Sequence, residues 1–235
     1  MQLRHLFALA VAAAAVPAMA DEFGSVQTLS QTEFASLAKD FTAVASYKSV
    51  SPAEPLGITG FDLGIEATGT GMENSAIWKK AGGDSSTVYM PRLHVHKGLP
   101  FNIDVGASLS AVPGSDIKLV GAEIKYAIVA GNTAIPAVAV RAAATRLSGV
   151  DQLDFNSRSL ELSVSKGFLN LTPYAGVGRV WASVTPNVGS LRKESPTASK
   201  VFAGLNINLG FANLAAEVDR TGDNQSASVK LGFRL

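Results

Sequence analysis

His94 and His96 stand two apart in the stretch STVYMPRLHVHK (86–97) and have the widest chemical repertoire of any side chains in this 235-residue sequence. Strand alternation puts both on one face together with Arg92. The neighbouring stretch FNIDVGASLS (101–110) presents Asp104 and Ser108 with the same period, so adjacent strands could assemble a Ser-His-Asp set for nucleophilic catalysis. A His-x-His pair also suits a metal, but no third ligand is evident. GVGRVW (176–181) has the glycines of a phosphate loop without its lysine or following helix. The complete lack of cysteine excludes thiol catalysis, zinc–thiolate sites and a disulfide-held domain. The simpler reading is non-enzymatic. Arg92, His94 and His96 then belong to a charge-paired network with Asp62, Glu66, Asp104, Glu123, Lys125, Arg141 and Glu161, without cofactor or metal.

These residues must be positioned by strands. In FNIDVGASLS the residues Phe101, Ile103, Val105, Ala107 and Leu109 share one face, and Asn102, Asp104, Gly106, Ser108 and Ser110 the other. Similar alternation marks 58–68, 86–97, 117–129, 157–166, 200–210, 213–220 and 226–235, and more weakly 135–147 and 171–184. Ten antiparallel strands follow. Their connections alternate in length. The even ones are tight, and KGLPFNI (97–103), KGFLNL (166–171) and LGFANL (209–214) repeat a Gly–apolar–Asn pattern in which Gly would supply the left-handed conformation. Of the odd ones, TGMENSAIWKKAGGDS and TPNVGSLRKESPTAS are long. Loops sorted to one rim suit an up-and-down barrel whose apolar face meets lipid and whose polar face looks inward. The polar face is mostly Gly, Ser, Asn and Thr with single charges of both signs, unlike the Lys- and Glu-rich surface of a soluble domain. Tyr89, Tyr126, Phe101 and Phe211 sit near strand ends, where aromatic girdles belong.

The N-terminus, MQLRHLFALAVAAAAVPAMA, reads as a secretory signal peptide cleaved after Ala20. The whole chain carries a formal charge of +1, and loss of Arg4 with the leader brings it to zero, so no general attraction to nucleic acid is expected. Residues 21–56 break the strand pattern. Ser30 and Glu33 form a capping box, and Phe34, Leu37, Phe41 and Val44 recur at helical spacing. Such an amphipathic helix is expected at the periplasmic, short-turn mouth of the barrel; a plug inside the lumen is the other reading. The division is therefore 1–20 signal peptide, 21–56 N-terminal helix or plug, and 57–235 barrel.

In the final strand, Ala227, Val229, Leu231, Phe233 and Leu235 line one face up to the last residue. This ending, with the architecture over 57–235, resembles that of small proteobacterial outer-membrane β-barrel proteins, in which the last strand is read by the barrel-assembly machinery; Val229, Leu231, Phe233 and Leu235 would carry that signal. The resemblance implies an all-β antiparallel up-and-down transmembrane barrel in a Gram-negative outer membrane. Its partners would be outer-membrane lipids, lipopolysaccharide and small polar solutes. The expected role is a narrow porin or transporter, or a structural barrel. A lipid-processing enzyme centred on His94 or His96, and a soluble periplasmic barrel for an apolar ligand, are the alternatives.

Overall fold

In a computed structural model of the protein, residues 25–83, 85–111, 117–189 and 191–235 are described. The expected signal peptide lies outside them. Among the described residues no helix is long and apolar enough to cross a membrane. Two helices, α1 (Gln31–Ala45) and α2 (Ser75–Lys80), accompany ten strands: β1 (Phe61–Gly71), β2 (Thr87–Leu99), β3 (Ile103–Ala111), β4 (Lys118–Val129), β5 (Ala137–Ser148), β6 (Leu153–Ser165), β7 (Leu171–Pro186), β8 (Thr197–Leu209), β9 (Ala212–Thr221) and β10 (Asn224–Arg234).

Each strand pairs antiparallel with its sequence neighbours, and β1 closes on β10. The result is an up-and-down barrel of ten strands. Its faces are reversed relative to a soluble protein. Leu63, Ile65, Val105, Leu109, Ile124, Leu160, Leu162, Val201, Val229 and Leu231 are exposed, whereas Asp62, Glu66, Arg92, Asp104, Glu123, Arg141 and Glu161 are buried inside.

Several strands run further toward one rim than their alternation shows, so the connections on that rim shrink. Those after β5 and β9 span only 149–152 and 222–223. Two long ones remain, 72–86 with α2 and 187–196, and both stand on this loop rim. The opposite turn rim differs in detail from expectation. In KGLPFNI the left-handed residues are Phe101 (φ 66°) and Asn102 (φ 59°), which removes Phe101 from β3 and places it in a turn. In KGFLNL it is Leu169 (φ 55°), and only in LGFANL is it the glycine, Gly210 (φ 74°). Gly98 serves close approach instead: a Cβ there would meet the Gly57 carbonyl oxygen at 1.9 Å.

At the loop rim the interior changes character. Val88, Leu119, Leu147, Leu153, Phe155, Ala182 and Val184 point inward and form an apolar cup. The apolar face of α1 fills it with Phe34, Leu37, Phe41 and Val44. Phe41 meets Phe155 edge-on at 5.0 Å between ring centroids and stacks on Trp78 of α2 at 6.4 Å. The expected capping box is present, Ser30 accepting from the Glu33 amide while the Glu33 carboxylate accepts from Ser30 N. The helix is therefore at the mouth opposite the one expected, because the cup, not the turn rim, supplies apolar surface to match its stripe.

Candidate functional site

Residues 46–56 leave α1 and run through the lumen from the loop rim to the turn rim. They add no strand to the sheet. This strap is almost wholly buried; Tyr47, Lys48, Val50 and Ala53 are at most 2% exposed. It is held by wall side chains that reach its backbone carbonyls. Near the loop rim Arg92 Nη2 donates to the Ser46 carbonyl at 3.4 Å and to that of Val44, in the last turn of α1, at 3.0 Å, and Thr145 Oγ1 to that of Ala45, the last residue of α1, at 2.8 Å. At mid-depth Lys200 Nζ reaches Tyr47 O at 3.2 Å, and Arg141 Nη2 the Ser51 hydroxyl at 3.0 Å. Near the turn rim Lys125 Nζ bonds Pro52 O at 3.1 Å and Glu54 O at 2.8 Å, while the Leu56 amide donates to Asp104 at 3.1 Å.

One strap side chain carries charge into this interior. Lys48 Nζ is 2.7 and 2.8 Å from the two carboxylate oxygens of Asp219 and 3.1 Å from Ser226 Oγ, with both charged side chains fully buried. Burying either ion alone would be costly, so the strap is seated by a matched pair.

The ten sequence-selected residues all face this lumen and fall into three groups. Glu66 accepts from Arg92 Nη1 at 3.0 Å and is also hydrogen-bonded by His94 Nε2 and Thr68 Oγ1. Arg141 spans Glu123 at 3.1 Å and Glu161 at 3.0 Å, and Glu161 takes Lys200 at 2.7 Å. His96 Nε2 lies 3.4 Å from Glu123. At the turn rim Lys125 pairs with Asp104 at 3.0 Å, and Asp62 takes Arg234 at 2.5 Å and Lys230 at 3.3 Å.

The catalytic constellation considered above is not assembled. Asp104 is committed to Lys125 and the strap, and the carboxylate on His94 is Glu66. The His94 ring lies stacked on His96, 5.7 Å away, and under the edge of Tyr47. Where the strap passes Asp62, His96, Asp104 and Lys125 the void is about 10 Å³, room for a single water.

Lys48, Tyr47, Ser51, Lys200 and Asp219 complete the site and were not among the sequence-selected residues. Asp219 and Lys200 were readable, being in phase with Glu217 and opposed to Val201 on their strands. Lys48 carries no such signal, because the strap has no period.

Distant structural likeness is to outer-membrane barrels. The N-terminal β-barrel domain of Pseudomonas aeruginosa OprF shares 15% identity over 74% of this chain and 97% of that one, with a TM-score of 0.39. The attachment invasion locus protein Ail of Yersinia pestis shares 15% over 75% and 99% (TM-score 0.34), and the KdgM porin 10% over 74% and 98% (0.37). No known sequence family and no curated protein matches the chain.

Proposed function

We propose that the protein is an outer-membrane barrel, closed at rest, in which α1 and the strap form a gate for small polar solutes. The belt of exposed Leu, Ile and Val around a charged interior is the arrangement a bilayer stabilises and water does not. The turn rim then faces the periplasm and the loop rim the cell surface. One observation carries the gate: the strap fills the lumen yet takes no part in the β-ladder. Its bonds to the wall are side-chain bonds that water can replace one for one, so it can leave while the barrel remains intact.

Planar-bilayer recording tests this reading. The wild type should show little steady conductance, and deletion of residues 31–56 should open the pore. Because the chain has no cysteine, an engineered pair can lock the strap. Ala53 N lies 3.1 Å from Ser165 Oγ, so oxidised A53C/S165C should hold the pore shut and reduction should restore any gating. A steady wild-type conductance equal to that of the deletion would contradict the gate.

A further inference from the structure

Four arginines on the strands point outward: Arg146 on β5, Arg158 on β6, Arg179 on β7 and Arg220 on β9. Arg220 is satisfied locally, lying 3.7 Å from Asp223 and bonding the Gly222 carbonyl at 3.2 Å. Among the described residues, Arg146, Arg158 and Arg179 make no ion pair or side-chain hydrogen bond. They are adjacent. Arg158 stands opposite Ala144, two residues from Arg146, and Arg179 stands opposite Leu160, two residues from Arg158. The three thus form a diagonal row across β5, β6 and β7, with neighbours roughly 7–8 Å apart. Arg146 and Arg158 mark the loop-rim edge of their strands' apolar rows, the last apolar outward residues there being Ala144 and Leu160, while on β7 Arg179 lies between the outward Val177 and Trp181. Asp154, the outward carboxylate of β6, lies four residues from Arg158 and faces Asn187, 3.4 Å away.

Beside the row the barrel wall is hollowed. Ala122 and Ile124 on β4 and Ala142 and Ala144 on β5 leave a groove of about 480 Å³ that ends at Arg158. The short alanine side chains there leave room for an alkyl chain. Snorkelling into the headgroup layer accounts for one arginine at a strand end. Asp154 is the other diagonal neighbour of Arg146, two residues from the Asn156 opposite it, but Arg158 and Arg179 have no acid beside them and repel one another at a low-dielectric boundary unless an anion lies between them. Guanidinium groups match phosphate oxygens bidentately.

We propose that Arg146, Arg158 and Arg179 bind the phosphate of an anionic lipid in the leaflet at the loop rim, with one acyl chain in the alanine groove. The site rests on the reading that the outer face meets lipid, and its test separates the two. The chain has two tryptophans: Trp78 is buried in the cup, and Trp181 is exposed and paired with Arg158 across β6 and β7. Trp181 fluorescence therefore reports which lipid lies at the site.

The protein is folded into phosphatidylcholine vesicles containing a minority of phosphatidic acid, with brominated acyl chains on one lipid or the other. Quenching should show phosphatidic acid enriched roughly fivefold or more over its bulk fraction, an enrichment that falls as salt rises. R158Q/R179Q should bring it to parity, R158K/R179K should keep part of it, and R220Q should leave it unchanged. Equal quenching by the two lipids in the wild type would overturn the site while leaving the barrel in the membrane, and this comparison needs no variant to fold. Absence of quenching by either lipid would overturn the membrane reading itself. Loss of the enrichment on adding inorganic phosphate, against chloride at equal ionic strength, would show a site for the free ion and overturn the lipid assignment.

Discussion

Replacing Asp219 by Asn should open the barrel. The Lys48 ammonium sits between two Asp219 oxygens at 2.7 and 2.8 Å and the Ser226 hydroxyl at 3.1 Å, with no solvent access. D219N removes the counter-charge and leaves the cation buried, an arrangement that costs about 3–5 kcal/mol when one partner of such a pair is lost. The strap can avoid that cost by leaving, since Lys48 regains water in an open lumen. The closed-to-open ratio should fall by roughly two to four orders of magnitude, at 1.4 kcal/mol per factor of ten. Single-channel recording reads this as open probability, with heat-modifiable migration on gels confirming a folded barrel. K48M/D219N supplies the control. Two neutral side chains of similar size leave no charge to rescue, and exchanging a buried pair for uncharged groups is often close to neutral. The double variant should therefore close again. If D219N gates like the wild type, or the double variant opens as far as the single, the pair does not hold the strap.

Three further outcomes are expected. Val105→Arg, in the middle of the exposed apolar row of β3, should cost about 2–4 kcal/mol of folding into bilayers, read from urea titration of vesicle-inserted protein; unchanged stability would return the apolar face to the inside. Single cysteines at Lys79 on α2 and at Leu169 on the turn rim should label oppositely on intact cells, Lys79→Cys reacting with an impermeant maleimide and Leu169→Cys only after the outer membrane is breached. The reverse pattern would invert the barrel. At the exposed start of α1, the hydrogen bond from Lys80 at 2.7 Å, then those from Ser30, hold the Glu33 carboxyl down from 4.5 to about 2. A depressed carboxylate gives support that is complete above its unfolded value and is lost on acidification, so the protection of the first-turn amides of α1, measured against their intrinsic exchange rate at each pH, should fall between about pH 4.5 and 2 in the wild type. In Lys80→Met the exchange should already be faster at neutral pH. Protection that is independent of pH would mean that this contact does not fasten the helix.

How far this could be read in advance depended on whether a residue's partner belongs to its own strand pattern. Glu66, Arg92, Asp104 and Glu161 were legible because a single-faced strand announces its inward side with every second residue, and closure of the sheet brings those sides together. Strands β5 and β7 were weak for a reason visible at the loop rim: Leu147, Val180, Ala182 and Val184 are inward and apolar while Arg146, Ser148, Arg179 and Ser183 are outward and polar, so the phase of the alternation inverts along each strand and the contrast that marks it cancels. The same cup explains the displaced helix. The periodicity of Phe34, Leu37, Phe41 and Val44 shows that α1 needs an apolar surface, not which mouth offers one. The strap was opaque for a different reason. Many of its bonds use its backbone carbonyls and amides, which carry no residue-specific signal, and its geometry includes Val50 at φ 45°, a conformation that a valine does not advertise.

Those carbonyls also explain why the wall is built as it is. Arg92, Lys125 and Lys200 each spend one donor on a wall carboxylate and another on the strap. Without the strap those second donors would face an empty tube, and burying them without acceptors would be prohibitive unless water filled it. A carboxylate-for-cation lumen that paired completely within itself would need no occupant and would stay shut. This one leaves donors over, and neutral acceptors satisfy them without adding charge. Reach sets the complementary condition. The eleven residues 46–56 extend at most about 36–40 Å at 3.3–3.6 Å each, against an apolar band of roughly 25 Å. The turn at Val50 consumes part of the surplus. The strap is therefore long enough to let α1 sit in its cup while Leu56 is fixed to Asp104. Closing the lumen and seating the helix are in consequence one event: nothing can draw the strap out of the pore without pulling Phe41 away from Phe155, so the apolar cup and the Lys48–Asp219 pair resist opening together.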